Sequence, residues 1–573
     1  MHVGLVGDGP AVATLEATLT AADCSLSTLD PDAAGDADLA VVVGDAGTAA
    51  VDRATAVARA AGTRHVTVEL GGLGGHPLAD VDAAITGFDP ETACFECLRG
   101  RVAANDPEPG ASGADDATAR LAGALAGREL AAVVEGDGVE GDEDPFGRVL
   151  ELPHARRPLL ALPNCTCAAD HDWTVRRDAT TRPLEAAVTA AERALDSRVG
   201  VVASVGELES FPVPYYLAEL CDTSGFSDAT APRQAAGVAT DWNGAMMKAL
   251  GEALERYSGA IYRDDDFQRA PPAAVPDGVA PSAFVCSPAF DAPAADEAIR
   301  WVPGADLHSG ESAWLPAEFV HFPPPEHRHR PSITTGLGLG NGGAEALLAG
   351  LYETVERDAA MLAWYSTFEP LGLAVESSSF ETLARRARAE DLTVTPLLLT
   401  QDVDVPVVAV AVHREGEWPQ FAVGMDADLD PAAAATAALE EALQNWVELR
   451  GMGPEGAADA DGAIGRYAAF PSAARSFVDP ETTIPADSVG PDEPPESDLD
   501  AVLDRLAAAG LDAYAARLTP RDVEAAGFEA VRVLVPAAQP LFTGEAYFGE
   551  RARTVPEQLG FEARLDRDHH PYP

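Results

Sequence analysis

Residues 242–262 read WNGAMMKALGEALERYSGAIY. Asp241 or Asn243 can cap the start of this stretch, and a run of strong helix formers follows, so it predicts a helix. Side chains three and four positions apart share a helix face. That puts Lys248, Glu252, Glu255 and Arg256 on one side and leaves Leu250, Leu254 and Ile261 to pack elsewhere. Carboxylates one turn apart can hold a hard cation such as Mg2+, and the basic side chains can meet phosphate oxygens. Taken alone, the pattern also reads as an exposed, salt-bridged face.

The pattern recurs. Residues 341–366, NGGAEALLAGLYETVERDAAMLAWYS, carry Glu353-x-x-Glu356-Arg357, with Asn341 as the expected cap and Glu345 on the same face. Residues 430–451, DPAAAATAALEEALQNWVELRG, offer Asp430 as N-cap, Pro431 at the first helical position and Gly451 at the C-terminal cap. Glu441, Gln444 and Glu448 share a face there. All three helices are apolar over most of their other sides. A mostly buried helix that keeps a polar stripe needs something to satisfy it. Three converging acidic stripes repel one another unless cations lie between them. Together they point to a metal–nucleotide site.

The first hundred residues alternate strand and helix. HVGLVG, LAVVVGD (39–45) and HVTVEL (65–70) predict strands, and AVATLEATLTAA and the Ala-rich 50–61 predict helices, which is half of a doubly wound α/β domain. The Gly7-x-Gly9 turn is a short form of a nucleotide fingerprint. Val12 replaces its third glycine and Pro10 removes a donor, so a tight strand-to-helix turn is the simpler reading. Cys94-x-x-Cys97 and Cys165-x-Cys167 supply four thiolates able to close a tetrahedral Zn2+ site. Residues 105–117 and 134–145 read as solvated acidic loops, and a boundary is expected near 175–185. RVGVVASVGE opens the next domain as a strand whose Arg198 reads equally as a phosphate contact or as an ordinary strand arginine. Beyond it, FVCSP, TVTPLLLT, VPVVAVAVHR, QFAVGMDA and AVRVLVP read as short β runs, and residues 478–500 as a linker or surface loop. HFPPPEHRHRP (321–331) lacks metal-ligand spacing and reads as a loop of solvated histidines.

A chain of 573 residues has ample length for a buried core. Its net charge of −54 argues against nucleic acid or an anionic membrane as main partner. Of 39 basic residues only one, Lys248, is lysine. Asp-rich, lysine-poor composition fits a salt-filled cytoplasm where charge is screened. No signal peptide or 18-residue apolar run is present, so the expected location is cytoplasmic, where seven cysteines point to metal or structural roles rather than disulfides.

The two Glu-x-x-Glu-Arg helices, the Asn-x-x-x-Glu before the second, the third helix with Glu441-x-x-Gln444 and the Pro571-x-Pro573 ending resemble the YcaO family over residues 190–573. VELGGLGGHPL followed by CFECLRGRVAAN resembles the E1-like (ThiF-like) partner domain fused to azoline-forming members, and the composition resembles a haloarchaeal type. The resemblance implies an E1-like zinc domain over 1–180 and an α+β ATP-binding domain over 181–573. It implies an ATP-dependent enzyme that activates backbone amides of a peptide or protein and forms azolines at Cys, Ser or Thr. Thioamidation and a non-catalytic peptide-binding role are the alternatives. By resemblance, Glu252, Glu255, Glu353 and Glu356 hold Mg2+, and Lys248, Arg256, Asn341, Glu345, Arg357, Glu441 and Gln444 contact nucleotide. His569, Pro571 and Pro573 form a stiff tail that reaches the active site. A sulfur-donor or leader-binding partner protein and a homodimer are compatible with this reading. The chain departs from the family pattern where Trp446 stands in place of an arginine, and where Gly237-Val238-Ala239 stands in place of Gly-Lys-Gly.

Overall fold

The computed structural model describes residues 1–573 except 21, 23, 136–143, 154, 168–170, 291–293, 295, 460, 461 and 492. Most of the second acidic loop expected at 134–145 therefore lies outside the described residues.

LAVVV (39–43) is a continuous apolar run because both faces of its sheet are covered. Strands β1 (His2–Val6), β2 (Ser25–Leu29), β3 (Leu39–Asp45) and β4 (Arg64–Leu70) pair in parallel, in the order β2-β1-β3-β4. Helices α1 (Pro10–Leu19) and α2 (Ala49–Ala60) make the crossovers. A small hairpin, β5 (Gly72–Leu73) and β6 (His76–Pro77), then reverses the chain. The sheet continues antiparallel through β7 (Ala83–Phe88), β8 (Arg148–Leu152) and β9 (Ala155–Pro158), with α3 (Phe95–Ala104) and α4 (Asp116–Glu135) between β7 and β8. The Gly7-x-Gly9 turn is a packing feature: both glycines have positive φ, and a Cβ on Gly7 would lie 2.2 Å from Val43 O.

Three sheets build the rest of the chain. An antiparallel sheet of β10 (Val202–Glu209), β11 (Tyr215–Leu220) and β12 (Gln234–Val238) follows α5 (Leu184–Glu192) and leads into α6 (Trp242–Ala260). A second holds β13 (Gln268–Ala270), β14 (Ile299–Asp306), β15 (Ser312–Pro316), β16 (Leu337–Gly340), β22 (Tyr514–Arg517) and β23 (Glu529–Leu534). The third runs β20-β19-β18-β17-β21, from β17 (Leu371–Ala374), β18 (Thr393–Leu398), β19 (Val407–His413), β20 (Phe421–Ala427) and β21 (Thr483–Pro485). The larger helices are α8 (Gly343–Trp364), α9 (Ser378–Ala389) and α10 (Pro431–Ala458). Shorter ones are α7 (Ala317–Val320), α11 (Ile464–Tyr467), α12 (Ser472–Phe477), α13 (Asp498–Ala508), α14 (Arg521–Ala526) and α15 (Arg551–Leu559). One apolar cluster joins Val42 and Phe95 of the first sheet's layer to Leu250, Leu254 and Tyr257 of α6.

Several expectations need correction. FVCSP (284–288) forms no strand; the Phe284 amide closes a local turn to Pro281 O and the Val285 amide donates to Pro536 O. Residues 478–500 are more than a linker, since β21 pairs in parallel with β17. In the 321–331 segment His321 and His329 are buried rather than solvated: His321 packs against Tyr262 and Phe267 and hydrogen-bonds to Gly259 O, and the buried Glu318 carboxylate gathers the amides of Arg328, His329 and Arg330. Arg198 lies outside the candidate cavity and pairs with Asp80 (2.7 Å) and Glu151 (2.9 Å). Gly451 is not a C-cap: α10 runs on to a kink at Gly453 (φ 68°) and Pro454.

The three long acidic helices are seated alike. A Cβ on Gly237 of β12 would lie 2.1 Å from Ala249 N of α6. One on Gly338 of β16 would lie 2.2 Å from Ala346 O of α8, and one on Gly424 of β20 would lie 2.4 Å from Ala442 N of α10. Each helix backbone thus rests on a strand glycine. Gly424→Ala is expected to cost about 1–3 kcal/mol, the usual range for overpacking. Gly206→Ala in β10, where nothing lies within 4 Å, should be nearly neutral. Equal urea-denaturation midpoints for the two variants would contradict the close-approach argument.

Candidate functional site

Helix α6 starts at Asp241, whose carboxylate accepts from Gly244 N at 3.0 Å, and α10 starts at Asp430, which accepts from Ala432 N at 2.9 Å. The start of α8 differs from expectation. Asn341 does not cap it; the N-cap position is Gly342, and the free amides are met by Asp178, through Oδ2 to Gly343 N (3.2 Å) and the backbone carbonyl to Ala344 N (3.0 Å). Asn341 instead donates its side-chain amide to Glu345 at 3.0–3.2 Å.

The polar faces of the three helices meet at one cavity of about 860 Å3. Its wall includes Lys248, Glu252, Glu255, Arg256, Asn341, Glu345, Glu353, Glu356, Arg357, Glu441 and Gln444, together with Gly237 and Val238 of β12. Glu448 is not in the wall; it accepts from Gln444 Nε2 (3.0 Å) and Tyr215 Oη (2.7 Å). Trp446 is fully buried beneath the Arg414 and Arg450 guanidinium groups.

The wall also holds four charged groups that the motifs did not point to: Arg182, Asp426, Asp428 and Glu440. Asp426 and Asp428 stand at and just beyond the end of β20. Their only sequence signal is an acidic DAD immediately before the α10 cap. Counting these, nine carboxylates face four cationic side chains, an excess of five formal negative charges.

The pairing is close. Arg256 contacts Glu252, and its Nη1 lies 3.3 Å from Glu255 Oε1. Arg357 Nε lies 3.3 Å from Glu356 and 3.9 Å from Glu353. Lys248 Nζ donates to Glu440 Oε2 at 2.6 Å, while Thr240 donates its amide (2.7 Å) and hydroxyl (2.9 Å) to Oε1. Backbone amides hold two more carboxylates: Gly336 N to Glu353 (3.0 Å) and Met425 N to Glu441 (2.5 Å). Burial, then the charges of Glu252 and Glu353, push the Glu255 carboxyl up to about 8. Burial likewise raises Glu356, Asp426 and Glu441. Arg256 Nη1 and Glu356 Oε1 are buried with ion-pair neighbours but no hydrogen bond. Hard oxygen donors, excess negative charge and unsatisfied buried atoms on both signs of charge fit a cation–phosphate ligand.

The C-terminal tail is docked. Tyr467 Oη (2.6 Å) and Arg466 hold His569 O, and Trp364 Nε1 donates to Asp568 O at 2.9 Å. His570 and Tyr572 are buried. Arg357 Nη1, in the cavity wall, donates to Pro573 O at 3.3 Å. The tail thus meets the site through Pro573, whereas the His569 and Pro571 side chains are not in the wall.

The four cysteines converge as well. Sγ–Sγ distances are 3.8 Å for Cys94–Cys97, 3.6 Å for Cys94–Cys165 and 3.4 Å for Cys97–Cys167, and all four sulfurs lie within 4.8 Å of one another. A tetrahedron with Zn–S bonds of ~2.3 Å has edges of about 3.8 Å, so the group fits such a metal.

Three helices that bring carboxylates and guanidinium groups to one cavity define a nucleotide- and cation-binding enzyme. The chain belongs to the YcaO family. The family model described as "YcaO cyclodehydratase, ATP-ad Mg2+-binding" matches residues 236–539. Among curated proteins, an uncharacterized protein of Methanothermobacter thermautotrophicus is 30% identical over 332 residues, spanning 54% of this chain and 82% of that one. Among solved structures, a heterocyclase in complex with substrate and cofactor aligns over 100% of this chain and 85% of its own, with TM-score 0.75 and 22% identity. The heterocyclase TruD aligns over 98% and 82%, with TM-score 0.66 and 21% identity. These two share the fold. No helix among the described residues is long and apolar enough to cross a membrane.

The docked tail carries a pH signature. Burial holds His570 down to about 3, so between pH 3 and about 6.5 the unfolded chain binds the extra proton. The stabilisation from this group is complete above about pH 6.5 and is lost as pH falls through the window. The urea midpoint should drop between pH 7 and pH 5 more steeply in wild type than in His570→Gln. Parallel pH profiles for the two proteins would contradict the shift.

Proposed function

We propose that the protein uses ATP and Mg2+ to convert backbone amides next to Cys, Ser or Thr of a peptide or protein into azoline rings. The observation that carries this is the convergence of eleven motif side chains on one cavity with five excess negative charges. The family description names a cyclodehydratase, which favours ring formation over thioamidation and over a non-catalytic role. The substrate's thiol or hydroxyl adds to the preceding carbonyl carbon and gives up its proton. When bound, ATP supplies the phosphoryl group that the carbonyl oxygen accepts, and that oxygen leaves as phosphate while the amide nitrogen forms C=N and loses its proton.

The chain's residues have separable tasks in this reading. Glu252, Glu255, Glu353 and Glu356 hold Mg2+, and the excess negative charge supports that assignment. Arg256, Arg357 and Lys248, with Asn341, Glu345, Glu441 and Gln444, orient the phosphates and the rest of the nucleotide. The tail, whose Pro573 O accepts from Arg357 in the cavity wall, is placed to orient the substrate at the reacting amide. Residues 181–573 form the ATP-binding part, and residues 1–180 form an E1-like part that docks the peptide, with Cys94, Cys97, Cys165 and Cys167 holding a structural Zn2+. The heterocyclase neighbour in complex with substrate and cofactor aligns over the whole chain, which supports a heterocyclase reading that takes in both parts.

Glu252→Gln keeps the side chain's shape and removes one charge. Mg2+-dependent phosphate release should fall by about 100-fold or more, on the scale of a lost electrostatic contact, with an unchanged melting temperature. Near-wild-type release would remove the nucleotide assignment from α6.

Deleting residues 569–573 should cut peptide heterocyclisation by at least about tenfold, while Mg–ATP affinity changes by less than about threefold. Equal rates of ring formation, read by the mass loss of 18 Da per ring, would exclude a catalytic tail.

A further inference from the structure

Tyr257 follows Arg256 on α6 but lies about 140° around the helix from Glu252, away from the cavity and fully buried. Its hydroxyl donates to Asp522 Oδ2 at 2.6 Å. Asp522 belongs to α14, near the C-terminal end of the chain, and is itself fully buried. The same carboxylate is paired with Arg101 of α3, which is also fully buried. Arg101 further donates to Tyr257 Oη (3.3 Å), Leu160 O (3.4 Å) and Ala161 O (3.2 Å).

Each of these contacts leads to the cysteine cluster. Arg101 sits one helical turn beyond Cys97 on α3, and Leu160 and Ala161 lie on the segment that delivers Cys165 and Cys167. Arg521, next to Asp522, donates Nη1 to Cys167 Sγ at 3.5 Å. Adjacent residues of α14 thus touch the thiol cluster and the back of the helix whose front carries Glu252, Glu255 and Arg256. A buried ion pair of this kind adds little net stability, yet removing one partner leaves the other charge buried and unpaired, so its members stay in register.

We propose that Arg101, Asp522 and Tyr257, with Arg521, are positioning residues that couple metal occupancy of the cysteine cluster to Mg–ATP affinity at the cavity. The coupling rests on the readings that the cluster holds Zn2+ and the cavity Mg–ATP. The metal fixes α3 and the Leu160–Cys167 segment, these fix Arg101 and α14, and the Tyr257 hydroxyl passes that register to α6.

The test is a cycle on the full chain: wild type and Tyr257→Phe, each zinc-loaded and each stripped by a chelator that is then dialysed away. The dissociation constant for Mg–ATP is read by calorimetry, zinc by elemental analysis and folding by the melting transition. Tyr257→Phe removes one oxygen and should still fold with one zinc per chain. Stripping zinc should weaken Mg–ATP binding to wild type by about tenfold, within the usual range of coupling between sites. Tyr257→Phe with zinc bound should show a similar loss, and stripping it should add less than about twofold. Arg521→Gln, which leaves α6 untouched, should repeat the loss from the metal side. A hydroxyl with a merely structural role lowers the melting temperature and leaves the two effects multiplicative. Multiplicative effects, or a wild type indifferent to stripping, overturn the coupling while both site readings stand. A wild type that takes up no zinc, or no Mg–ATP, overturns the corresponding site reading and the coupling with it.

Discussion

Crowding of negative charge around one cavity is the constraint on which the rest of this structure depends. An excess of five formal negative charges around one cavity is unfavourable, and burial pushes several of its carboxyls toward the neutral form. The protein answers in three ways. Arg256 and Arg357 are inserted between pairs of carboxylates on their own helices. Backbone amides from β20 and from the turns before β16 and α6 each grip a specific carboxylate. The residual charge is left for a ligand. Each answer requires the helices to be placed to a fraction of an ångström, because hydrogen bonds of 2.5–3.0 Å from a strand to a helix side chain do not survive larger shifts.

That placement explains the surroundings. Strand glycines let the three helices lie directly on the sheets, and Asp178 ties the start of α8 to the segment before α5. At the far end of the chain, the docked tail ends against Arg357. Elements from the beginning, middle and end of the sequence therefore meet at one helix pair. The apolar cluster shared by the first sheet's layer and α6 belongs to the same logic, since it backs the helix on the side that carries no charge.

What the sequence shows of this follows the range of the interaction. The motif faces of α6, α8 and α10 are legible because helix, stripe and spacing are all local, and the eleven side chains read from them line one wall. The parallel start of the first sheet is legible for the same reason, as are the Asp241 and Asp430 caps. What escapes is set at a distance. Asn341 has the chemistry of a cap, but Asp178 occupies that role from 165 positions away. Asp426 and Glu440 look like any other acidic residue in a chain that carries 93 of them; only the register of β20 and the neighbouring Lys248 give them a place in the wall. A segment rich in Pro, His and Arg reads as surface until a buried Glu318 gathers its amides. FVCSP has strand composition but no partner strand beside it.

The lysine inventory has a practical side. With 38 arginines and one lysine, the protein has a single side-chain amine, and it stands in the cavity wall on Glu440 with half of its side chain open to solvent. Guanidinium groups are inert to the acylating reagents that modify amines. Apart from the α-amino group, such a reagent therefore finds one target, so a fluorophore or affinity handle can be attached in the wall of the acidic cavity of the native chain without engineering a cysteine.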